Sequence, residues 1–293
     1  MFRNLTDSAK GIWCMIAGTL LLTTQDGITK WLAADYHAGE ILFYRGIFTF
    51  VPIALLVVRT GGWQVLATRN LKGTLIRAGL GTATSIFVVL SFLYLPLATA
   101  LAIIFLSPVM LTALSLPLLG ERVGWRRWTA VIVGFAGVLI MVRPGAAGVP
   151  YFYIFPLITA LLSTLRDVAT RHLRGTENSL SILFYSMLVA ILAGAASLPL
   201  LGGHWPSLFD WGLLAIAGIL VAISHLLTIQ ALLLAPGGTV APFKYLSLVW
   251  AGVIGYGVWG DVPDQWKLAG AALVVGSGLF ILHRELKRPQ AIT

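Results

Sequence analysis

Seven ionisable side chains stand inside otherwise apolar runs: Asp26, Lys30, Arg45, Arg166, Asp167, His225 and Lys244. A charge inside a hydrocarbon setting is expensive, so each is a functional candidate by default. Two kinds of chemistry are open to such groups. A carboxylate can make and break an ion pair as a gate or carry a coupling proton; alternatively, the pair only fixes helix packing, and breaking it costs about 3–5 kcal/mol. Asp26 and Lys30 are four residues apart, as are Asp167 and Arg171, so each pair shares a helical face in the favourable order. Covalent chemistry has little to work with. There is no GxxxxGK[ST] phosphate loop, no HExxH zinc helix and no GxSxG elbow. Ser224 and His225 are adjacent, and adjacent residues on a helix do not face each other. The single cysteine, Cys14, excludes a disulfide framework or a cysteine metal cluster.

The elements that carry these charges are duplicated. QDGITKWLAADYHAGEILFY (25–44) aligns without a gap on RDVATRHLRGTENSLSILFY (166–185), with Asp26 on Asp167, Thr29 on Thr170, Leu32 on Leu173 and ILFY on ILFY. Downstream, Pro96 and Thr99 fall on Pro236 and Thr239, and Gly120-Glu121 falls on Gly260-Asp261. The repeat divides the chain into 1–146 and 147–293.

Of the 293 residues, 58% are hydrophobic and 11% charged. A soluble domain carries about 25% charged residues, so the class is an all-α polytopic membrane protein. Net charge +9 does not indicate nucleic acid, because the cations sit in short loops rather than on a soluble face. Spans of about 20 apolar residues are expected at 11–31, 39–58, 74–94, 97–119, 125–143, 151–172, 179–201, 208–233, 238–259 and 265–283. The first is long enough to stay as a span rather than a cleaved leader. Arg3, Lys10, Arg59, Arg69, Lys72, Arg77, Arg122, Arg126, Arg127, Arg171, Arg174, Arg284, Lys287 and Arg288 fall on one side of these spans; the other side holds little beyond Arg143 and Lys267, with the acids Asp35, Glu40, Asp210, Asp261 and Asp264. Both termini are therefore expected in the cytoplasm. Five spans per repeat is an odd number, so the second copy must enter the membrane upside down. Inverted five-helix repeats are a construction of secondary transporters, with the solute site near the midplane.

At 1.5 Å per residue, Asp26 and Arg45 lie roughly 8–9 Å from the outer face and can meet; Asp167 and Lys244 match in the same way at the inner face. Lys30 and Arg171 are close enough to their interfaces to snorkel. Pro108 and Pro242 should open their helices locally. Beside Pro242 stand Phe243, Lys244, Tyr245 and Trp250, which with Phe105 form a candidate cavity wall able to stack a flat solute. Lys244 breaks the repeat, since its counterpart is Ile104.

QDGITKWL with ILFYR, the GE and GD loops, and APFKYLSLVWAGVIGYGVWGDVPD (241–264) resemble EamA-type members of the drug/metabolite transporter superfamily, over essentially the whole chain. Within it they are most similar to the subgroup with bacterial riboflavin and S-adenosylmethionine uptake proteins. The resemblance implies secondary transport in the inner membrane, through a central cavity and without a cofactor. Its partners would be a small-molecule solute and the bilayer, with a coupling ion or proton and a homodimer left open. The surplus of cations in the spans favours neutral riboflavin over cationic S-adenosylmethionine, with export of amino acids or other metabolites as the alternative.

Overall fold

The computed structural model describes residues 7–107, 109–111, 114, 125–142, 150–173, 176–234 and 241–286. Among these the chain is helical, with no strand. The helices are α1 Asp7–Leu32, α2 Ala38–Thr60, α3 Leu71–Tyr94, α4 Leu97–Ile104, α5 Trp125–Val142, α6 Ile154–His172, α7 Ser179–Leu201, α8 Leu208–Leu234, α9 Leu246–Trp259 and α10 Gln265–Leu286. Short 3-10 turns occupy Trp63–Leu66, Tyr151–Tyr153 and Ala241–Tyr245. The expected all-α class holds. Pro108, Gly120-Glu121 and most of the second half of the expected fourth span lie outside the described residues.

Among the described residues, five stretches are long and apolar enough to cross a membrane: Ala38–Thr60, Leu71–Tyr94, Tyr151–Thr170, Ser179–Leu201 and Leu208–Thr228. Their apolar residues are not all hidden. Val51, Leu55 and Val58 form one stripe of α2 and are 61%, 52% and 76% exposed. On a soluble monomer such a stripe would need a partner; on a membrane helix it is the lipid face. Hydroxyls inside the helices are satisfied by the carbonyl one turn back, as Thr23 is by Thr19 at 2.9 Å and Thr164 by Ala160 at 2.8 Å. That is the local solution where water is absent.

Helix ends follow from capping chemistry. Asn70 and Asn178 cap α3 and α7 by accepting from Gly73 N at 2.9 Å and Ser181 N at 2.7 Å. His37 and Glu40 form a reciprocal capping box on α2. Gly61 ends α2 at φ 125°, a left-handed conformation that suits glycine.

Packing runs mainly between the two halves of the chain. α1 lies against α8, α3 against α6, α2 against both α7 and α8, α3 also against α7, and α5 against α10. Glycines permit the closest crossings: a side chain at Gly194 of α7 would meet the α2 backbone at Gly39 and Phe43, and one at Gly137 of α5 would meet the Gly270 carbonyl of α10.

Two hydrogen-bonded clasps close the bundle. In one, the buried Glu40 carboxylate (1% exposed) accepts from His37 N and His204 N, and the His37 ring contacts the Gly202 carbonyl at 2.8 Å. Tyr36 donates to Asp210 at 2.8 Å; burial and then that carboxylate push its hydroxyl up to about 12. In the other, Asn178 donates to the Val65 carbonyl at 2.7 Å, Ser181 to Leu66, and Glu177 accepts from Arg69 N and Asn70 N at 2.7 and 2.6 Å. The start of α2 is thus tied to the chain leaving α7, and the start of α7 to the chain leaving α2. The two helices run antiparallel.

Candidate functional site

The charged interior is built where α3 crosses α6. Arg77, six residues into α3, donates from Nε to Thr170 of α6 at 3.2 Å and from Nη1 to Ser186 of α7. Arg166 of α6 runs past Gly81, one turn further along α3, with its Cδ 3.7 Å from where a Cβ on that glycine would be. Arg166 donates from Nε and Nη2 to the Asp167 carboxylate at 3.3 and 3.2 Å. Thr170, which accepts from Arg77, donates its own hydroxyl to the Arg166 carbonyl at 2.8 Å, so the two arginines are linked through one threonine.

Lys244, in the 3-10 turn before α9, belongs to the same set. Its electrostatic neighbours are Asp167 and Arg166. The residue is exposed. No hydrogen bond or ion pair to its Nζ is formed among the described residues. The expected Asp167–Lys244 ion pair does not close, because Asp167 is taken by Arg166 beside it. The Arg171 side chain lies outside the described residues. His225 of α8 stands where the fields of Arg166, Arg77 and Arg45 overlap.

The first-repeat acid behaves differently. Arg45 is the charge that acts on Asp26, yet its Nη1 donates to Thr29 at 3.3 Å and no Asp26–Arg45 ion pair closes. Thr29 also receives the Gln25 amide, so three polar side chains of α1 and α2 form a chain beside Asp26. Lys30 does not turn back to Asp26, as the four-residue spacing suggested. Its Nζ donates to the Leu95 carbonyl at 2.7 Å and sits 5.1 Å from the centre of the Trp259 ring. The physical reason is that the end of α3 offers an orphan carbonyl, and α9 an aromatic face, within reach of the long side chain. Asp261 is the acid that acts on Lys30, and one of its carboxylate oxygens is buried with no hydrogen-bond partner among the described residues.

The aromatic candidates divide. Phe105 falls in the turn that ends α4, and Tyr245 ends the Ala241–Tyr245 turn; their rings are 5.1 Å apart at 37°. The two positions are equivalents in the repeat, so corresponding helix breaks meet face to face. Tyr245 extends its hydroxyl over Gly278 of α10, and Phe105 packs on the core around Val109 and Val274. Phe243 packs against Met15 and Ala231. Trp250 buries its indole N–H without a partner among the described residues. Phe105, Phe243 and Tyr245 thus join helices, and Lys244 is the exposed member of the group.

Sequence reasoning counted Arg77 among the loop cations and Glu40 among the outer-side acids. Both are structural centres. The available signal was position: Arg77 lies inside the expected 74–94 span, and Glu40 stands three residues after a residue able to cap.

The arrangement sets charged side chains among apolar helices, and none of the described hydrogen bonds joins a nucleophile to a base. The EamA-like transporter family profile matches residues 9–143 and again 150–283. An S-adenosylmethionine uptake transporter of Rickettsia bellii is 29% identical over 94% of each chain. A riboflavin transporter of Rhizobium johnstonii is 27% identical over 94% of this chain and 92% of its own. The pseudopaline exporter CntI of Pseudomonas aeruginosa is 24% identical over 90% and 93%. Apolar helices, interior charges and a family match that occurs twice and spans nearly the whole chain lead to one assignment: this protein is a multi-pass membrane protein of the EamA-like transporter family.

Proposed function

We propose that the chain is a secondary transporter that moves a small organic metabolite across the inner membrane by alternating access, using two inverted five-helix halves, 1–146 and 147–293, with both termini in the cytoplasm. The observation that carries this reading is the antiparallel packing of α2 and α7 with a matching clasp at each end. Equivalent helices of halves with the same orientation would run parallel; equivalents of inverted halves run antiparallel. The helix pairs fit the same symmetry: α1 on α8 corresponds to α6 on α3, and α2 on α8 to α7 on α3. Inverted halves of this kind are a construction of secondary transporters, with the solute site at the repeat interface.

For the solute, relatives named for S-adenosylmethionine, riboflavin and pseudopaline keep both import and export open. The surplus of cations over acids in the helices disfavours a cationic solute, which supports riboflavin over the sulfonium of S-adenosylmethionine. The test is counterflow. Proteoliposomes loaded with unlabelled riboflavin, S-adenosylmethionine or an amino-acid mixture should accumulate the matching labelled solute above empty liposomes in at least one case. Flux equal to empty liposomes for all three, from protein shown to be folded, overturns the reading.

A further inference from the structure

We propose that the groove between α4, α9 and α10 is a binding site for a phospholipid with a primary-amine headgroup. The acyl chain lies along the groove, the phosphate meets Lys267 and the ammonium meets Asp261.

Val249 and Val253 of α9 and Leu268 of α10 are exposed, so this face of the bundle meets hydrocarbon. A cavity of about 420 Å³ opens among them, against the start of α4. It follows α9 from Leu248 to Val253, a rise of about 8 Å. Gly252 keeps the groove open, since a Cβ there would meet nothing within 4 Å. The groove continues into a smaller cavity of about 160 Å³, which shares Gly252 and Lys267 and is bounded by Asp261. The chain reversal after α9 puts that acid in place. Gly260, at φ 68°, donates to the Tyr256 carbonyl at 3.0 Å, and Asp261 N donates to the Gly255 carbonyl at 3.1 Å. The carboxylate is thereby laid back over α9, with Oδ2 3.8 Å from where a Cβ on Gly255 would be. That oxygen is buried without a hydrogen-bond partner among the described residues. No hydrogen bond or ion pair among the described residues reaches the Asp261 carboxylate or the Lys267 ammonium, and Lys30 gives its own ammonium to the Leu95 carbonyl. An acid and a base left open at the head of an apolar groove complement a headgroup that carries phosphate and ammonium above an acyl chain. The amine must be primary, because a quaternary one has no N–H to donate to the orphan oxygen. An anionic phospholipid would satisfy Lys267 alone.

The test is lipid titration of the full chain in detergent, read by native mass spectrometry. Dioleoyl phosphatidylethanolamine is compared with dioleoyl phosphatidylcholine, which has the same chains and phosphate but no N–H. The wild type and Lys10→Gln, an exterior charge control, should bind the ethanolamine lipid roughly tenfold or more tightly, the worth of one charge-assisted hydrogen bond. Asp261→Asn should bring the two affinities level. Lys267→Gln should weaken both lipids together, since both carry the phosphate. Neither side chain is hydrogen-bonded within the described protein, so both variants should keep the wild-type unfolding temperature without added lipid. Gly252→Leu is the second handle: its side chain enters open space and should displace the acyl chain of either lipid. Equal affinity of the wild type for the two lipids overturns the site, as does a preference that survives Asp261→Asn or binding unchanged in Gly252→Leu. Glycerophosphoethanolamine, the same headgroup without chains, binding as tightly as the lipid makes the occupant a soluble zwitterion and overturns the lipid assignment.

Discussion

Replacing Glu40 by alanine should be among the most damaging single changes in the chain, although the residue lies at the edge of the bundle. Its carboxylate is 1% exposed and accepts from two backbone amides, His37 N at 2.9 Å and His204 N. Neither amide belongs to a helical ladder, so alanine leaves both without that acceptor. A hydrogen bond to a charged acceptor contributes about 1.5–3 kcal/mol, and part of the gain is offset by the cost of burying the carboxylate. The expected loss is about 3–5 kcal/mol. At ~2–4 °C per kcal/mol, the unfolding temperature in detergent should fall on the order of 10 °C. Glu40→Gln keeps one acceptor oxygen but turns an N–H toward the second amide, so about half the loss is expected. Hydrogen exchange at the His204 amide should accelerate in both variants, more in alanine. An alanine variant within about 2 °C of wild type, less than 1 kcal/mol on the same scale, would refute the claim that this carboxylate holds the two loops together.

Lys30→Met should destabilise by about 1–3 kcal/mol, because a charge-assisted bond to Leu95 O and the Trp259 contact are both lost; Lys30→Arg should recover part of it, and equal unfolding temperatures for the two variants would count against that geometry. Gly278→Ala places a methyl where the Tyr245 hydroxyl lies, so unfolding temperature should drop, and adding Tyr245→Phe should restore much of it; a double mutant no better than Gly278→Ala would sink this contact. Slight desolvation pushes Glu177 up, but bonds from Asn70, Thr68 and Arg69 outweigh it and hold its carboxyl below 4.5. A depressed carboxylate stabilises above its unfolded pKa and loses that contribution as pH falls through its folded one. Exchange of the Arg69 and Asn70 amides should therefore gain an excess acceleration below pH 4.5 that Glu177→Gln lacks; identical pH profiles would refute it.

Much of this was legible in the residues. The apolar run lengths were enough for the all-α class and the order of the helices. Partner choice was not legible. Depth along a helix predicts which charges share a level, and Asp167 and Lys244 do act on each other. It carries no information on rotation about the helix axis, and Asp167 pairs with Arg166 instead. Lys30 escaped for a related reason: its acceptor is the Leu95 carbonyl, a backbone group with no sequence signature. Arg77 was hidden by a habit of counting, since a cation near a span end reads as a loop charge until its depth is worked out. The aromatic group shows the opposite error. Phe105 and Tyr245 looked like a stacking surface because they flank prolines, but equivalent helix breaks pack on each other and use both rings for that purpose.

The preference of helices for partners from the other half has a consequence for how the protein is made. α1, α2 and α3 touch one another far less than they touch α6, α7 and α8. When the ribosome has delivered the first half, Asp26, Arg45 and Arg77 are in the bilayer without the helices that cover them. Such an intermediate has few contacts of its own, so its helices stay loosely assembled until those of the second half arrive. A first half synthesised alone lacks those partners, and the surfaces that pack on α6, α7 and α8 stay uncovered.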